Sequence, residues 1–151
     1  FEVVNKLRTS LLFVTHDPEE ALSMSDHILI LHEGRIIEKG NGRSLYSHPH
    51  QKATAQLTGY CHFVSAQYEF FKGAHIVENE YLIRPEQLFF SKEKTENALE
   101  AIVQKTEFLG FYLGLHLYIP SIEITLFATI SSCLSKIYQG DNGWLSFVRK
   151  N

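Results

Sequence analysis

The chain has 151 residues, of which 44% are hydrophobic, and a formal net charge of −3 at pH 7. This hydrophobic share is sufficient for a packed core and excludes an intrinsically disordered chain, while the length allows one domain or two small ones. The lack of excess positive charge excludes an electrostatic surface for duplex nucleic acid or for an anionic membrane.

The cysteines and the most apolar region bear on two further classes of protein. Cys61 and Cys133 lie far apart and form no motif, so we predict two reduced structural thiols. Residues 108–134 are rich in apolar side chains, but Gly, His, Pro and Glu interrupt them before they reach the ~18 residues that a membrane helix needs. We therefore predict no transmembrane helix.

The first predicted elements are a short strand and a helix. Residues 11–14 are apolar without alternation, as in a strand that is buried on both faces. Asp17 suits the N-cap of the following helix, Pro18 suits its first position, and Glu20 is placed to close a capping box. These features predict a buried strand over residues 10–15 that runs directly into a helix.

His16 lies at the junction between this strand and this helix. In an open α/β sheet, such a junction is the carboxyl end of a strand, where ligands bind. A histidine at a strand end can equally be a structural residue that is held by hydrogen bonds. Its position alone leaves both roles open.

A hairpin and two short helices are predicted next. Gly34 follows Glu33 between two apolar runs, and glycine supplies the positive φ that such a turn needs. Gly59 suits the end of the second helix for the same reason. The predicted strands cover residues 27–31 and 35–39, and the predicted helices cover residues 43–47 and 50–58.

From Tyr60 onward the sequence changes to aromatic and β-branched residues in short alternating runs that are separated by turns. Many short strands at such spacing indicate a small barrel or sandwich. The predicted strands cover residues 63–71, 75–77, 81–84, 88–90, 98–108, 112–119, 122–129 and 144–148.

Two groups of motifs resemble a known family. The sequence Thr15-His16-Asp17, together with the segment from Ser25 to Gly40, resembles the switch region and following hairpin of an ABC transporter ATP-binding subunit. Arg84-Pro85-Glu86 and the segment Thr106 to Gly110 resemble elements of the transport-associated OB-fold (TOBE) domain that is appended to many importer ATPases. The order of these motifs makes the resemblance cover essentially the whole chain.

The resemblance implies a two-part fold. Residues 1–60 would be an α/β remnant, the C-terminal part of an ABC ATP-binding domain that contains the switch region. Residues 61–151 would be an all-β, OB-like small barrel with a regulatory role. The sequence contains no phosphate loop of the form GxxxxGK[ST]. We therefore expect this chain to be the C-terminal piece of a longer polypeptide and to be inactive by itself.

The same resemblance implies a function. The full-length protein would be the ATP-hydrolysing subunit of an importer for a small charged solute such as iron(III), a polyamine or a sulfate-like anion. ATP and Mg would be its cofactors, and His16 would be both the catalytic and the cofactor-binding residue of this chain, at the γ-phosphate. Transmembrane permease subunits and a second copy of the protein would be direct partners, and a substrate-binding protein an indirect one. The expected location is peripheral, at the cytoplasmic face of the inner or plasma membrane.

Other interpretations concern particular residues. His48, His50, Cys61 and His62 match no compact zinc pattern, so we predict no metal site. The pairs Phe70-Phe71, Phe89-Phe90 and Phe111-Tyr112 could stack nucleic-acid bases, but an acidic chain favours core packing for them. Arg84 could bind a small anion, although a structural role is favoured.

The alternative function is a non-catalytic ligand-sensing or dimerising OB-fold module. Residues 108–117 contain too few polar side chains to cover the outward face of a barrel. We therefore expect a contact between two copies on a face that includes Leu113 and Leu115, since exposed apolar patches commonly mark interfaces. The simpler alternative is that this stretch packs elsewhere or fills the barrel.

Overall fold

The computed structural model describes residues 9–132 and 136–148. The region that we call the N-terminal region (residues 9–60) contains helices α1 (Pro18–Met24), α2 (Gly42–Ser47) and α3 (Lys52–Leu57) and strands β1 (Ile28–His32) and β2 (Arg35–Gly40). The β domain (residues 61–148) contains strands β3 (His62–Ser65), β4 (His75–Val77), β5 (Glu80–Ile83), β6 (Leu88–Ser91), β7 (Leu99–Leu109), β8 (Tyr112–Ile119), β9 (Ile124–Ser131) and β10 (Asn142–Phe147). Single turns of 3₁₀-helix at Glu69–Phe71 and Pro85–Gln87 precede β4 and β6.

Strands β1 and β2 form the predicted antiparallel hairpin. Glu33 and Gly34 in its turn have φ values of 48° and 75°, as a two-residue turn that matches the twist of the strands requires. One face of the hairpin packs on α1 and α2 through Ile28, Ile30 and Leu45. The other face carries exposed apolar side chains.

The β domain contains two antiparallel sheets that share one core. The larger sheet has the order β6-β10-β7-β8-β9, and the smaller has the order β3-β5-β4. The larger sheet is strongly curved, because Cα atoms of its edge strands β6 and β9 come within 8 Å of each other. Strand β10 pairs with both β6 and β7 and so joins distant parts of the chain. This arrangement fits the predicted OB-like small barrel.

Alternation along the strands builds the core. Leu115, Leu117 and Ile119 of β8 are fully buried and pack with side chains of the smaller sheet. A Cβ atom at Gly114 would come 2.6 Å from the ring of Phe127, a residue of the neighbouring strand β9. Glycine at this position therefore leaves the space that this ring occupies beside β8.

Strand β5 is buried on both faces. Tyr81 and Ile83 point into the shared core, whereas Leu82 points to the opposite side and contacts Ala55 of α3. Because side chains alternate along a strand, the next residue, Arg84, lies on the α3 side. The β domain thus presents one face of its smaller sheet to the N-terminal region.

The buried strand that was predicted over residues 10–15 is wrong, because these residues form no strand. Leu12 and Val14 are 86% and 93% exposed. A strand that is buried on both faces needs neighbouring strands and covering helices, and the described residues provide neither beside this segment. The described part of the N-terminal region thus contains a hairpin and three short helices, and an α/β remnant of an ATPase domain is not shown.

Two smaller predictions also need correction. The strand expected over residues 63–71 ends at Ser65, and the chain then turns so that Phe71 enters the core. Leu115, which was placed on an outward face, is fully buried. No helix among residues 9–132 and 136–148 has the length and apolar character to cross a membrane.

Candidate functional site

His16 lies in the turn before α1, and its neighbours fix the start of that helix. The Asp17 carboxylate accepts hydrogen bonds from the backbone N–H groups of Glu19 (2.8 Å) and Glu20 (3.3 Å), which confirms Asp17 as the N-cap. The predicted capping box does not form, because the Asp17 N–H bonds to Thr15 and not to Glu20. The Thr15 hydroxyl accepts from the Asp17 N–H at 3.0 Å and donates to the Glu20 carboxylate at 2.7 Å. This network holds the backbone on both sides of His16, whose own side chain is exposed.

The N-terminal region, which contains His16, also carries an apolar surface. It consists of the exposed side chains of residues 11, 12 and 14 and of the outer face of the β1–β2 hairpin. The hairpin contributes Leu29, Leu31 and Ile36, which are 52%, 63% and 59% exposed. We call these residues the open apolar surface. Such a concentration of exposed apolar side chains is typical of a surface that packs against another part of a protein.

Arg84 is the most extensively bonded side chain of the described residues, and only 3% of it is exposed. Its Nη1 donates to the carbonyl oxygens of Ala55 (3.0 Å), Gly59 (2.8 Å) and Tyr60 (3.2 Å). Its Nη2 donates to the Tyr46 carbonyl at 2.9 Å and to the Thr58 hydroxyl at 3.0 Å. The buried Nε has no acceptor among the described residues. Arg84 therefore serves a structural role, as the sequence favoured.

Tyr46 and Gly59 complete the surroundings of this guanidinium. The guanidinium carbon lies 4.0 Å from the centre of the Tyr46 ring, and the Tyr46 hydroxyl donates to Glu86 at 3.0 Å. Burial, with the nearby Glu86 carboxylate, raises the pKa of Tyr46 to about 12, and burial lowers the pKa of Arg84. Gly59 has φ of 146°, and a Cβ atom there would lie 3.2 Å from the Tyr46 ring, so the close approach requires glycine.

A cleft of about 960 Å³ separates α2 from the smaller sheet of the β domain. Arg43, His48 and His75 contribute polar groups to it, and Tyr46 and Arg84 line its base. The rings of His48 and His75 meet edge to face at 5.1 Å, and the second ring is held by the Pro49 carbonyl at 2.8 Å. Residues of both the N-terminal region and the β domain therefore line the cleft.

The residues that were weighed as metal ligands lie in different places. His50 pairs with Glu38 at 2.8 Å. His62 Nε2 instead accepts the Phe127 N–H at 2.7 Å and so joins β3 to β9. No group of three or more His, Cys, Asp or Glu residues within 9–132 and 136–148 is placed to hold a metal ion. Cys61 is a half-buried free thiol whose pKa is raised by burial, and Cys133 lies outside the described residues.

The aromatic pairs divide between core and surface. Phe71 and Phe90 are buried, which confirms core packing for one member of each of their pairs. Phe111 and Tyr112 are 85% and 57% exposed, so core packing was wrong for the third pair. Together with Phe108 and Leu109, which are 78% and 49% exposed, they form a surface at the end of the β7–β8 hairpin that we call the hairpin tip.

Comparison with known proteins adds the family. A model of the TOBE domain matches residues 81–150. Residues 81–150 are therefore similar to a TOBE domain. The match begins within β5 and includes Arg84 and the whole larger sheet, so the curved sheet and the Arg-Pro-Glu element belong to one family unit.

The chain also resembles import ATP-binding proteins. It is 30% identical over 117 residues to a sulfate/thiosulfate import ATP-binding protein of Gloeobacter violaceus, covering 78% of this chain and 34% of the relative. It is 32% identical over 130 residues to a spermidine/putrescine import ATP-binding protein of Clostridioides difficile, covering 76% and 37%. It is 27% identical over 154 residues to an Fe(3+) ions import ATP-binding protein of Fusobacterium nucleatum, covering 89% and 42%. The chain thus spans 34–42% of the length of these relatives.

These similarities confirm the resemblance to importer-type ABC transporter ATP-binding subunits that the motifs indicated. Sequence reasoning found the Arg-Pro-Glu element but missed what Arg84 binds. All of its acceptors lie 24 to 38 residues earlier in the chain. The available signal was the buried run of β5, which places an arginine directly after three buried residues.

Proposed function

We propose that this chain forms the C-terminal portion of the ATP-hydrolysing subunit of an ABC importer for a small charged solute. The observation that carries the proposal is the TOBE match together with relatives that are all named as import ATP-binding proteins. Residues 1–60 would complete the ATP-binding domain, and residues 61–151 would form the regulatory barrel. Permease subunits and a second copy would be its partners at the cytoplasmic face of the membrane.

The described residues fit one contact of a bound ATP–Mg complex. The exposed His16 ring, on a backbone fixed by Thr15 and Asp17, has nitrogens that could donate to a γ-phosphate oxygen or accept the O–H of an attacking water. The sequence has no phosphate loop, so the remaining phosphate and magnesium contacts would come from residues outside this chain. Bound Mg would neutralise charge on the transferred phosphoryl group, while His16 would orient a group at it.

The open apolar surface supports the same proposal. Leu12, Val14 and the outer face of the hairpin are exposed in this chain, and in the proposed subunit the preceding part of the ATP-binding domain would cover them.

ATP hydrolysis by the intact polypeptide tests the proposal. We expect Mg-dependent turnover by the full-length protein and none by residues 1–151 alone. His16→Ala should lower kcat by ~10²–10³-fold, the usual effect of removing one electrostatic donor, with a much smaller change in ATP affinity. His50→Ala is a matched control, because His50 is exposed and pairs with Glu38 instead. Normal turnover of His16→Ala would contradict the role of His16.

A second function, self-association through the β domain, is favoured by the hairpin tip. Phe108 and Phe111 are 78% and 85% exposed at the end of one hairpin. A contact between identical tips in two copies would be isologous and would remove these rings from water. Light scattering at increasing concentration should show dimers that Phe111→Ser weakens. Leu29→Ser, which changes an exposed residue of the other region, is the control, and a strict monomer at high micromolar concentration would contradict the contact.

A further inference from the structure

Arg84 belongs to the β domain by position, but each of its hydrogen-bond acceptors belongs to residues 46–60. We call residues 42–60 the helical segment, since they contain α2 and α3. We infer that Arg84 is a positioning residue that fixes the orientation of the helical segment, and through it the helix that follows His16, on the β domain. The catalytic consequence rests on the function proposed above, whereas the orientation itself does not.

Four of the five acceptors are backbone carbonyl groups at or just after the ends of α2 and α3. Ala55, Gly59 and Tyr60 lie in the last turn of α3 or just after it, and Tyr46 lies in the last turn of α2. The last carbonyls of a helix have no partner within the helix and carry the negative end of its dipole. One cation therefore satisfies the ends of two helices at once, which defines the angle between them.

The shape of the guanidinium makes this arrangement specific to arginine. Nη1 and Nη2 form a planar fork whose four N–H groups serve five acceptors, so at least one N–H is shared, and the guanidinium carbon lies over the Tyr46 ring, 4.0 Å from its centre. A lysine ammonium has three donors on a flexible stem and cannot reproduce a planar fork. The nearby Glu86 carboxylate also stabilises the charge of Arg84, but the five hydrogen bonds go to carbonyl and hydroxyl oxygens, so the binding of Arg84 depends on the position of these groups and not on charge pairing alone.

A second contact links the same elements. The Tyr46 hydroxyl reaches Glu86 of the β domain at 3.0 Å, and Gly59 brings the Tyr46 ring and Arg84 together by lacking a side chain. The guanidinium and the phenol therefore hold α2 from two directions. Loss of the guanidinium would leave buried carbonyls without donors, which favours a changed helix orientation over an empty space.

The orientation of α2 is passed to α1 by direct packing. A Cβ atom at Gly42, the first residue of α2, would come 3.1 Å from the Leu22 carbonyl oxygen of α1. The two helices are thus in backbone contact, and α1 begins at Pro18, two residues after His16. A rotation of α2 on the β domain would move α1 and the adjoining turn with it.

Residual dipolar couplings measured by NMR test the orientation in this chain. In the wild type, one alignment tensor should describe the amides of α2, α3 and the β domain. In Arg84→Lys, the couplings of the β-domain amides should still fit one alignment tensor, whereas the couplings of the α2 and α3 amides should no longer fit that tensor. Arg43→Lys is the matched control, because Arg43 is an exposed residue of α2, and it should behave as the wild type.

Two outcomes would overturn the inference: separate tensors in the wild type, or one shared tensor in Arg84→Lys. If Arg84→Lys fails to fold, Thr58→Val decides. This change removes a single Arg84 acceptor and the hydroxyl bonds to the Thr54 and Ala55 carbonyls while keeping the side-chain volume. A smaller departure of α2 and α3 in the same direction supports the inference, and no departure overturns it.

The link to His16 is measured in the full-length polypeptide. Arg84→Lys should lower kcat by about 10²-fold, the scale of a misplacement of about 1 Å, with the KM for ATP nearly unchanged. No hydrolysis by the wild type would refute the proposed function and leave the orientation result standing. Normal kcat in an Arg84→Lys variant with a changed orientation would overturn the link to His16.

Discussion

The N-terminal region and the β domain differ in how their apolar residues are used. In the described part of the chain, the buried cluster of the N-terminal region consists of Ile28, Ile30 and Leu45. The cluster of the β domain draws on both of its sheets. Because apolar burial is the main favourable term in folding, we expect the β domain to supply most of the stability.

The two regions also differ in whether their apolar side chains are buried or exposed. In β8, alternate apolar residues enter a core that the same domain completes. At residues 11, 12 and 14 and on the outer face of the hairpin, they stay exposed. The second pattern agrees with the proposed function, in which a preceding part of an ATP-binding domain would cover these side chains.

The largest expected difference comes from shortening one leucine in each region. Leu115→Ala should lower the free energy of unfolding by about 2–5 kcal/mol, because it leaves a cavity in the core. Leu29→Ala, at a residue that is 52% exposed, should change it by less than about 0.5 kcal/mol. Urea denaturation of the two variants measures both values. Equal effects would refute the assignment of stability to the β domain.

The sequence predicted local structure better than it predicted burial. The hairpin turn at Glu33-Gly34 and the β7, β8 and β9 strands were found within a few residues, because positive φ and alternation are local signals. The strand over residues 10–15 was wrong because burial on two faces depends on elements that a local pattern does not contain.

Non-local contacts explain the other differences. Leu115 was assigned outward because the sequence shows which residues share a face but not which face meets the core. The pairing of β10 between β6 and β7 and the acceptors of Arg84 join residues that are far apart in the chain. His16 was predicted as a site from the resemblance, and that role stays a prediction.

Amide hydrogen exchange should sharpen the comparison at the level of single elements. Amides in the paired parts of β7 and β8 should exchange more than about tenfold more slowly than those of β1 and β2, which corresponds to about 1.4 kcal/mol of local stability. The reason is that β1 and β2 form a two-stranded sheet with one uncovered face. Uniform protection across both regions would contradict the difference.

A pH effect is expected within the β domain. Burial lowers the pKa of His62, and its Nε2 accepts the Phe127 N–H, so the folded state favours the neutral ring. The unfolded state binds the proton more readily, and stability should therefore fall as the pH drops below about 6.5, the ordinary histidine pKa. Urea denaturation between pH 7 and 5 should show this decline. His62→Gln keeps an acceptor without the titration and should show a flatter profile, whereas an unchanged profile would assign the decline to other groups.

The effect expected at the contact between the two regions is small near neutral pH and grows at high pH. Burial and Glu86 raise the pKa of Tyr46 to about 12, so the folded state binds the phenol proton more tightly than the unfolded state does. This stabilisation is complete below about pH 10, the ordinary tyrosine pKa, and is lost as the pH rises from there through about 12. Tyr46→Phe should remove this part of the pH dependence and, near neutral pH, should cost only the hydrogen bond to Glu86, about 1 kcal/mol. Tyr112→Phe is the matched control, since Tyr112 lies at the exposed hairpin tip. A tyrosine absorbance titration in which Tyr46→Phe removes no step above about pH 10 would show that Tyr46 is not held by the β domain.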